Sequence, residues 1–94
     1  MKKLSVIIPA RDEADNLQTC IRGIHRELKK YDISHEILVI DDGSTDSTQS
    51  VLTELKKDIP ALVSIANNGE NGFGRAVRLG LQEFSGDAVA IMMA

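Results

Sequence analysis

Two adjacent aspartates, Asp41 and Asp42, are the side chains of this sequence best suited to chemistry. They directly follow the apolar run at residues 37–40 and directly precede the turn residues Gly43 and Ser44. Two neighbouring carboxylates at the end of a buried strand repel each other, and a bound ligand or cation can compensate that repulsion. Asp-Asp-Gly-Ser is also common turn composition. A solvated turn whose carboxylates contribute little to stability is therefore the alternative interpretation.

The apolar run before the aspartates predicts a strand, and the residues after them predict a turn and a helix. Four apolar residues without alternation are typical of a strand covered on both faces, as in a parallel α/β sheet. Asp46 stands three positions before Gln49, which fits a helix N-cap with a return contact from the glutamine. In open α/β sheets ligands bind outside the carboxyl ends of the strands, where Asp41 and Asp42 are expected to lie.

Composition limits the classes of partner. The 94 residues carry a net charge of −3 and only 3% aromatic residues, none of them tryptophan. An acidic chain is poorly suited to neutralising nucleic-acid phosphates, and few aromatic rings are present for base stacking. Both observations argue against a nucleic-acid partner. Cys20 is the single cysteine and is interpreted as a core residue of a reducing compartment. The sequence shows neither a signal-peptide pattern nor an apolar run of membrane-spanning length, so we expect a cytoplasmic or cytoplasm-facing segment without membrane contact.

Hydrophobic periodicity predicts four strands that alternate with three helices. The strands are expected at residues 4–8, 36–40, 61–66 and 88–93, and the helices after a polar loop at 10–13, at 47–57 and at about 73–84. Pro9 is expected to end the first strand because it cannot donate a hydrogen bond to a sheet. Gly80, inside the third helix, indicates a close contact between that helix and the sheet.

This alternation predicts a Rossmann-like α/β fold with three layers, in which helices cover both faces of a parallel sheet. The expected strand order is 3-2-1-4, which sets the ends of the first two strands side by side. The chain stops at Ala94, directly after a strand. We therefore expect a single unit, residues 1–94, that is the first part of a longer domain and is incomplete at its C-terminus.

Three separated patches of the sequence match the pattern of one family. They are Val-Ile-Ile-Pro-Ala-Arg-Asp-Glu at residues 6–13, Val-Ile-Asp-Asp-Gly-Ser-Thr-Asp at 39–46 and Asn-Gly-Phe-Gly-Arg-Ala at 71–76. Together they resemble the N-terminal half of the family-two glycosyltransferases of GT-A fold. The glycine pattern from Gly72 to Gly80, with Gly86 and Asp87 before the last strand, is most similar to the dolichol- and polyprenyl-phosphate sugar transferases.

The resemblance implies a site for a nucleotide-diphosphate sugar, linked to UDP or GDP, that is transferred to an acceptor. The loop after the first strand and the acidic pair would hold the nucleotide; these residues are Pro9, Ala10, Arg11, Glu13, Asp41 and Asp42. Asp42 would accept a hydrogen bond from a base N–H. Many relatives have an aromatic residue where Arg11 stands, and a planar guanidinium can also stack on a base. The alternative for Glu13 is an acid that answers the helix dipole.

The same resemblance implies a second wall of the donor site at the third helix. Gly72, Gly74 and Arg75 would form it, because backbone N–H groups at a helix start favour anionic groups. The alternative is an ordinary helix entry with Asn71 as N-cap. Many relatives carry lysine at the position of Phe73, so a cation is missing there.

The resemblance implies Mg or Mn as cofactor of a full-length enzyme only. The family's Asp-x-Asp metal motif follows the fourth strand, so its ligands are expected beyond Ala94, and no catalytic or metal residue is assigned within the chain. The isolated chain is expected to be inactive and to self-associate through its last strand. A polyprenyl phosphate is one candidate acceptor.

Other protein classes fit the motifs less well. A nicotinamide dehydrogenase or a sugar nucleotidyltransferase would have a glycine-rich loop after the first strand, where this chain has Pro9 to Glu13. A receiver domain would end its third strand on an aspartate, where this chain has Ala66 and Asn67. The alternative that stays open is a non-catalytic α/β fragment for nucleotide binding or assembly.

Overall fold

The computed structural model describes residues 2–44, 46–67 and 72–93. Within them strands and helices alternate, as β1 (Leu4–Ala10), α1 (Ala14–Lys30), β2 (His35–Asp41), α2 (Thr48–Asp58), β3 (Leu62–Ala66), α3 (Phe73–Glu83) and β4 (Ala88–Ile91). The strands form one sheet in the order β3-β2-β1-β4, and every described pairing is parallel. The predicted α/β architecture and the predicted strand order are therefore confirmed.

Alternate side chains of the central strand β1 enter two separate cores. Ile8 belongs to a buried cluster that contains Leu17 of α1 and Leu52 of α2. The neighbouring Ile7 lies in the other cluster, together with Ala76 of α3. Because successive strand residues point to opposite faces, helices α1 and α2 cover one face of the sheet and α3 covers the other. This arrangement is the three-layer fold that the sequence predicts.

Gly80 is the point of closest approach between α3 and the sheet, as predicted. A Cβ atom at this position would lie 2.6 Å from Cγ2 of Ile7, and Ile7 itself is fully buried. Any side chain at position 80 would therefore push the helix away from β1.

Pro9 does not end β1, which corrects the expectation from the sequence. The strand continues to Ala10, whose carbonyl accepts a hydrogen bond from Asp42 N on the β2 side at 2.8 Å, whereas the carbonyl of Ile7 accepts one from Met92 N on the β4 side at 3.0 Å. Residues along a parallel strand direct their backbone groups alternately to the two neighbours. The nitrogen of Pro9 thus faces the side where the pairing with β4 has already ended, and its missing N–H interrupts no ladder bond there.

The edge strand β4 is shorter than expected, ending at Ile91 instead of Met93. Ile91 and the two residues that follow the strand are exposed, with relative accessibilities of 45% for Ile91, 42% for Met92 and 67% for Met93. Self-association through this strand stays a prediction. In the described ranges, no helix is both long enough and apolar enough to cross a membrane.

Candidate functional site

A cavity of about 250 Å³ opens at the carboxyl ends of β1 and β2. The residues that line it are Pro9, Ala10, Arg11, Glu13, Asp42, Gly72, Phe73 and Met93. The fold thus brings six of the nine predicted binding residues to one cavity, although they come from three separate segments. The exceptions are Asp41, Gly74 and Arg75.

The register between β1 and β2 explains why the two loops meet. Ala10 pairs with Asp41 at the last position of both strands, and the backbone bond from Asp42 N to Ala10 O extends the ladder by one residue. The loop that carries Arg11 therefore leaves the sheet beside Asp42. Arg11 is exposed and Glu13 is half-buried, so both side chains are accessible to a ligand.

Asp42 is the buried acid of the cavity, and its carboxylate is held by two neutral donors. The residue is only 5% exposed. Its Oδ1 accepts a hydrogen bond of 2.8 Å from Asn67 Nδ2, and its Oδ2 accepts one of 2.8 Å from Gly72 N. These bonds connect the end of β2 with the end of β3 and the start of α3. Because an ionised carboxylate has about four acceptor positions, Asp42 can still accept a further donor.

Asp41 has a different role from its neighbour and does not line the cavity. It is 4% exposed, and its Oδ1 accepts a hydrogen bond of 3.1 Å from Ser44 N. Its Oδ2 accepts a hydrogen bond from Gln49 Nε2 of α2. Asp41 therefore closes the turn after β2 and anchors α2 to it, and the structure gives no support to its predicted contact with a ligand.

The start of α2 also differs from the expectation. The N-cap position is Ser47, without a side-chain cap bond. Asp46 instead stands one residue earlier, and its Oδ1 accepts hydrogen bonds from both the backbone N (2.9 Å) and the hydroxyl of Thr48. These hydrogen bonds from Thr48 hold the pKa of Asp46 below its usual value. The predicted return contact of Gln49 with Asp46 is wrong, because Gln49 reaches Asp41.

Reciprocal hydrogen bonds join the two loops beside the cavity. Asp12 N donates to Ser44 Oγ at 3.0 Å, and Asp46 N donates to Asp12 Oδ1 at 3.3 Å. Ala14 N, at the start of α1, donates to Asp46 Oδ2 at 3.4 Å. Asp12 adopts a positive φ of 52°, a conformation that aspartate tolerates better than most residues. The loop that carries Arg11 is thus tied to the turn after β2.

The first turn of α3 contributes less to the cavity than predicted. Gly74 and Arg75 lie in this turn and are exposed, but neither lines the cavity. Asn71, the predicted N-cap, lies outside the described residues, and the residue that precedes the helix is Gly72. The φ of Gly72 is 147°, a conformation that side chains rarely adopt. Glycine readily adopts this backbone conformation, in which the N–H of Gly72 donates to Asp42.

Three residues of the site were not predicted from the sequence. Phe73 and Met93 line the cavity with 52% and 67% of their surface exposed, and they give it an apolar wall. Asn67 holds the carboxylate of Asp42. The sequence carries one usable signal for Asn67, because it directly follows β3 at the carboxyl edge where Asp42 follows β2.

The described residues do not fit a metal centre. No group of three or more histidine, cysteine, aspartate or glutamate side chains comes together within residues 2–44, 46–67 and 72–93. The acidic pair is also engaged with N–H donors, Asp41 with Ser44 and Asp42 with Gly72. Neither Asp41 nor Asp42 is therefore assigned as a ligand of Mg or Mn.

A parallel sheet of order 3-2-1-4, with a cavity where its two central strands end, defines a Rossmann-like α/β fold. The family model for glycosyl transferase family 2 matches residues 5–94. The chain belongs to this family.

Two of the curated relatives are named as sugar transferases for dolichol phosphate and undecaprenyl phosphate. The chain is 38% identical over 90 residues to a dolichol-phosphate mannosyltransferase from Pyrococcus furiosus, covering 96% of this chain and 25% of the relative. It is 32% identical over 90 residues to an undecaprenyl-phosphate 4-deoxy-4-formamido-L-arabinose transferase from Salmonella choleraesuis, covering 95% of this chain and 28% of the relative. The chain thus spans about a quarter of the length of these proteins.

Solved structures share the fold over nearly the whole chain. A mannosyltransferase from Pyrobaculum calidifontis, in complex with GDP-Man and Mn²⁺, has a TM-score of 0.86 at 24% identity, covering 98% of this chain and 27% of its own. Mannosyl-3-phosphoglycerate synthase from Rubrobacter xylanophilus also has a TM-score of 0.86, at 26% identity, covering 99% and 30%. Glucosyl-3-phosphoglycerate synthase from Mycobacterium tuberculosis, in complex with Mn²⁺ and UDP, has a TM-score of 0.78 at 24% identity, covering 98% and 33%.

Proposed function

We propose that this chain forms the nucleotide-binding part of the donor site of a glycosyltransferase, which transfers a sugar from a nucleotide diphosphate. The observation that carries the proposal is the buried carboxylate of Asp42 in a cavity at the carboxyl ends of β1 and β2. Membership of glycosyl transferase family 2 supports the reaction class.

The cavity offers complementary groups to a nucleoside. Asp42 accepts a hydrogen bond from the ring N–H of uracil or guanine, and its negative charge strengthens that bond. Arg11 presents a planar guanidinium that can stack on the base, and Glu13 presents an acceptor for ribose hydroxyls. Phe73 and Met93 supply apolar surface to the same cavity. The donor is therefore a UDP- or GDP-linked sugar, in agreement with the ligands of the structural neighbours.

The same neighbours contain Mn²⁺, which supports Mg or Mn as the cofactor of a whole enzyme. When bound, such an ion neutralises charge on the diphosphate leaving group. We assign none of the described residues as its ligand, since no metal cluster is found among them. We expect the isolated 94 residues to bind nucleotide without transferring sugar.

The relatives support a polyprenyl phosphate as the acceptor, because two of them are named for dolichol phosphate and undecaprenyl phosphate. A nucleotide-linked donor dissolved in the cytoplasm and a polyprenyl phosphate in a membrane would meet at the cytoplasmic face of that membrane, which is the location we propose.

Calorimetric titration of the chain with UDP, GDP, CDP, ADP and NADH tests the proposal. We expect binding of UDP or GDP and weaker binding of CDP and ADP, whose bases lack the ring N–H. A thermal shift should follow the same order, since a ligand stabilises the folded state that it binds. Absence of binding by every nucleoside diphosphate would contradict the proposal and favour an assembly fragment. Preference for NADH would favour a dehydrogenase.

A further inference from the structure

We propose that Asn67 is a positioning residue for nucleotide recognition, which orients the carboxylate of Asp42 toward the base. This inference rests on the proposed function of the cavity. Asn67 itself is not among the residues that line the cavity, so it acts through Asp42.

The geometry around Asp42 supports this role. Rotation of an aspartate carboxylate about its last side-chain bond is broad and nearly two-fold, so a single hydrogen bond does not fix its plane. Here the two oxygens accept from two different directions, Oδ1 from Asn67 Nδ2 and Oδ2 from Gly72 N, each at 2.8 Å. One donor on each oxygen fixes the plane. Without Asn67, the bond to Gly72 alone would leave the carboxylate free to turn.

The chemical type of the donor also matters. A lysine or arginine in place of Asn67 would orient Asp42 but would also pair with its charge. The side-chain amide of asparagine is neutral, so Asp42 keeps its full negative charge for the base N–H. A hydrogen bond to a charged acceptor is stronger than one between neutral groups. Asn67 thus orients the acceptor without neutralising its charge.

The backbone of Asn67 is fixed independently of its side chain. Its N–H donates to Asp41 O at 2.9 Å, which extends the parallel ladder of β2 and β3 by one residue. A change of the side chain therefore leaves this backbone bond in place. We expect variants at position 67 to fold, which allows the effect on binding to be separated from an effect on the fold.

Two variants of Asn67 test the inference in binding assays. Asn67→Ala removes the amide, and Asn67→Asp keeps its shape while replacing the donor by an acceptor. Ser64→Ala, on the same strand β3, is the control. Each protein is titrated with UDP and N3-methyl-UDP, and with GDP and N1-methyl-GDP, because the methylated bases lack the ring N–H that Asp42 would bind.

We expect the unchanged chain to bind UDP or GDP about tenfold more tightly than its methylated analogue, the ratio that one hydrogen bond of this kind supplies. Asn67→Ala and Asn67→Asp should lower this ratio to near one, whereas Ser64→Ala should keep it. A purely structural role would weaken parent and methylated nucleotides alike and leave the ratio intact. Melting curves show whether each variant is folded.

The outcomes distinguish failure of the inference from failure of the proposed function. If the chain discriminates against the methylated base and both Asn67 variants still do so, Asn67 has no positioning role, while the donor site stands. If the unchanged chain binds no nucleoside diphosphate, both proposals are overturned. If it binds UDP or GDP but ignores the methyl group, Asp42 does not read the base, and the inference about Asn67 fails while nucleotide binding stands.

Discussion

Ser5 of β1 and Glu36 of β2 are partners in the sheet register, and a buried hydrogen bond of 2.5 Å runs from Ser5 Oγ to Glu36 Oε2. The same Oε2 accepts from Ser85 N at 2.7 Å, and Ser5 Oγ accepts from Gly86 N at 2.8 Å. The turn between α3 and β4 is thereby attached to the amino ends of the central strands. This network lies at the opposite end of β1 and β2 from the cavity, so it can be altered without touching the site.

Substitution of Glu36 is expected to destabilise the fold according to what replaces the carboxylate. Glu36→Ala leaves the buried hydroxyl of Ser5 and the N–H of the exposed Ser85 without their acceptor, which should lower the free energy of unfolding by about 1–3 kcal/mol, mainly through Ser5. Glu36→Gln should cost less, because an amide oxygen can accept both bonds. Urea denaturation of the two variants measures the difference. Equal losses would mean that the charge, and not the acceptor, holds the turn.

The stability of the chain should fall in acid partly through Glu36. Burial by itself would raise the pKa of Glu36, but hydrogen bonds from Ser5 and Ser85 outweigh it, so the pKa lies below its usual value. A lowered pKa stabilises the fold above the unfolded value of about 4.3, and this contribution disappears as the pH falls through the folded pKa.

Melting temperatures between pH 6 and pH 3 should therefore drop more for the unchanged chain than for Glu36→Gln. Other acids, such as Asp46, titrate in both proteins and cancel in the comparison. Parallel curves would contradict the assignment.

Gly80→Ala should destabilise the chain although alanine favours helices. The new Cβ would lie 2.6 Å from Cγ2 of the buried Ile7, and overpacking of a core typically costs about 1–3 kcal/mol. Gly23 in α1 is the matched control, since a Cβ there meets nothing within 4 Å. Gly23→Ala should stabilise the chain by about 0.5–1 kcal/mol. Thermal denaturation of both variants checks the opposite signs, and a stabilised Gly80→Ala would show that α3 can shift freely.

Asp42→Ala should reduce both nucleotide affinity and stability. As a solvated turn residue Asp42 would contribute little to folding, but it is 5% exposed and accepts bonds from Asn67 and Gly72. Loss of a buried charged acceptor typically costs about 1.5–3 kcal/mol. Urea denaturation measures the stability, and calorimetry at a temperature where both proteins are folded measures UDP and GDP binding. Unchanged affinity in a folded variant would contradict a role for Asp42 in the donor site.

The sequence by itself determined the order of elements and the parallel sheet. Apolar runs, helical periodicity and turn residues repeat in a β-α pattern, and right-handed crossovers leave few topologies for such a pattern. It also located the strand ends that form the cavity, since parallel strands present their carboxyl ends at one edge. The close contact at Gly80 was also predicted, although Gly23 shows that a glycine inside a helix does not by itself require one.

Only the tertiary structure decided the separate roles of Asp41 and Asp42. The two residues are adjacent and chemically identical, so local sequence cannot distinguish them. Asp42 is held by Asn67 and Gly72, which lie 25 and 30 positions away along the chain, whereas Asp41 is held within its own turn and the next helix. Pro9 shows the same dependence, because its tolerance within β1 follows from how far β4 extends beside it. These outcomes depend on which segments become neighbours in the folded sheet, and that is a property of the packing rather than of any one stretch of sequence.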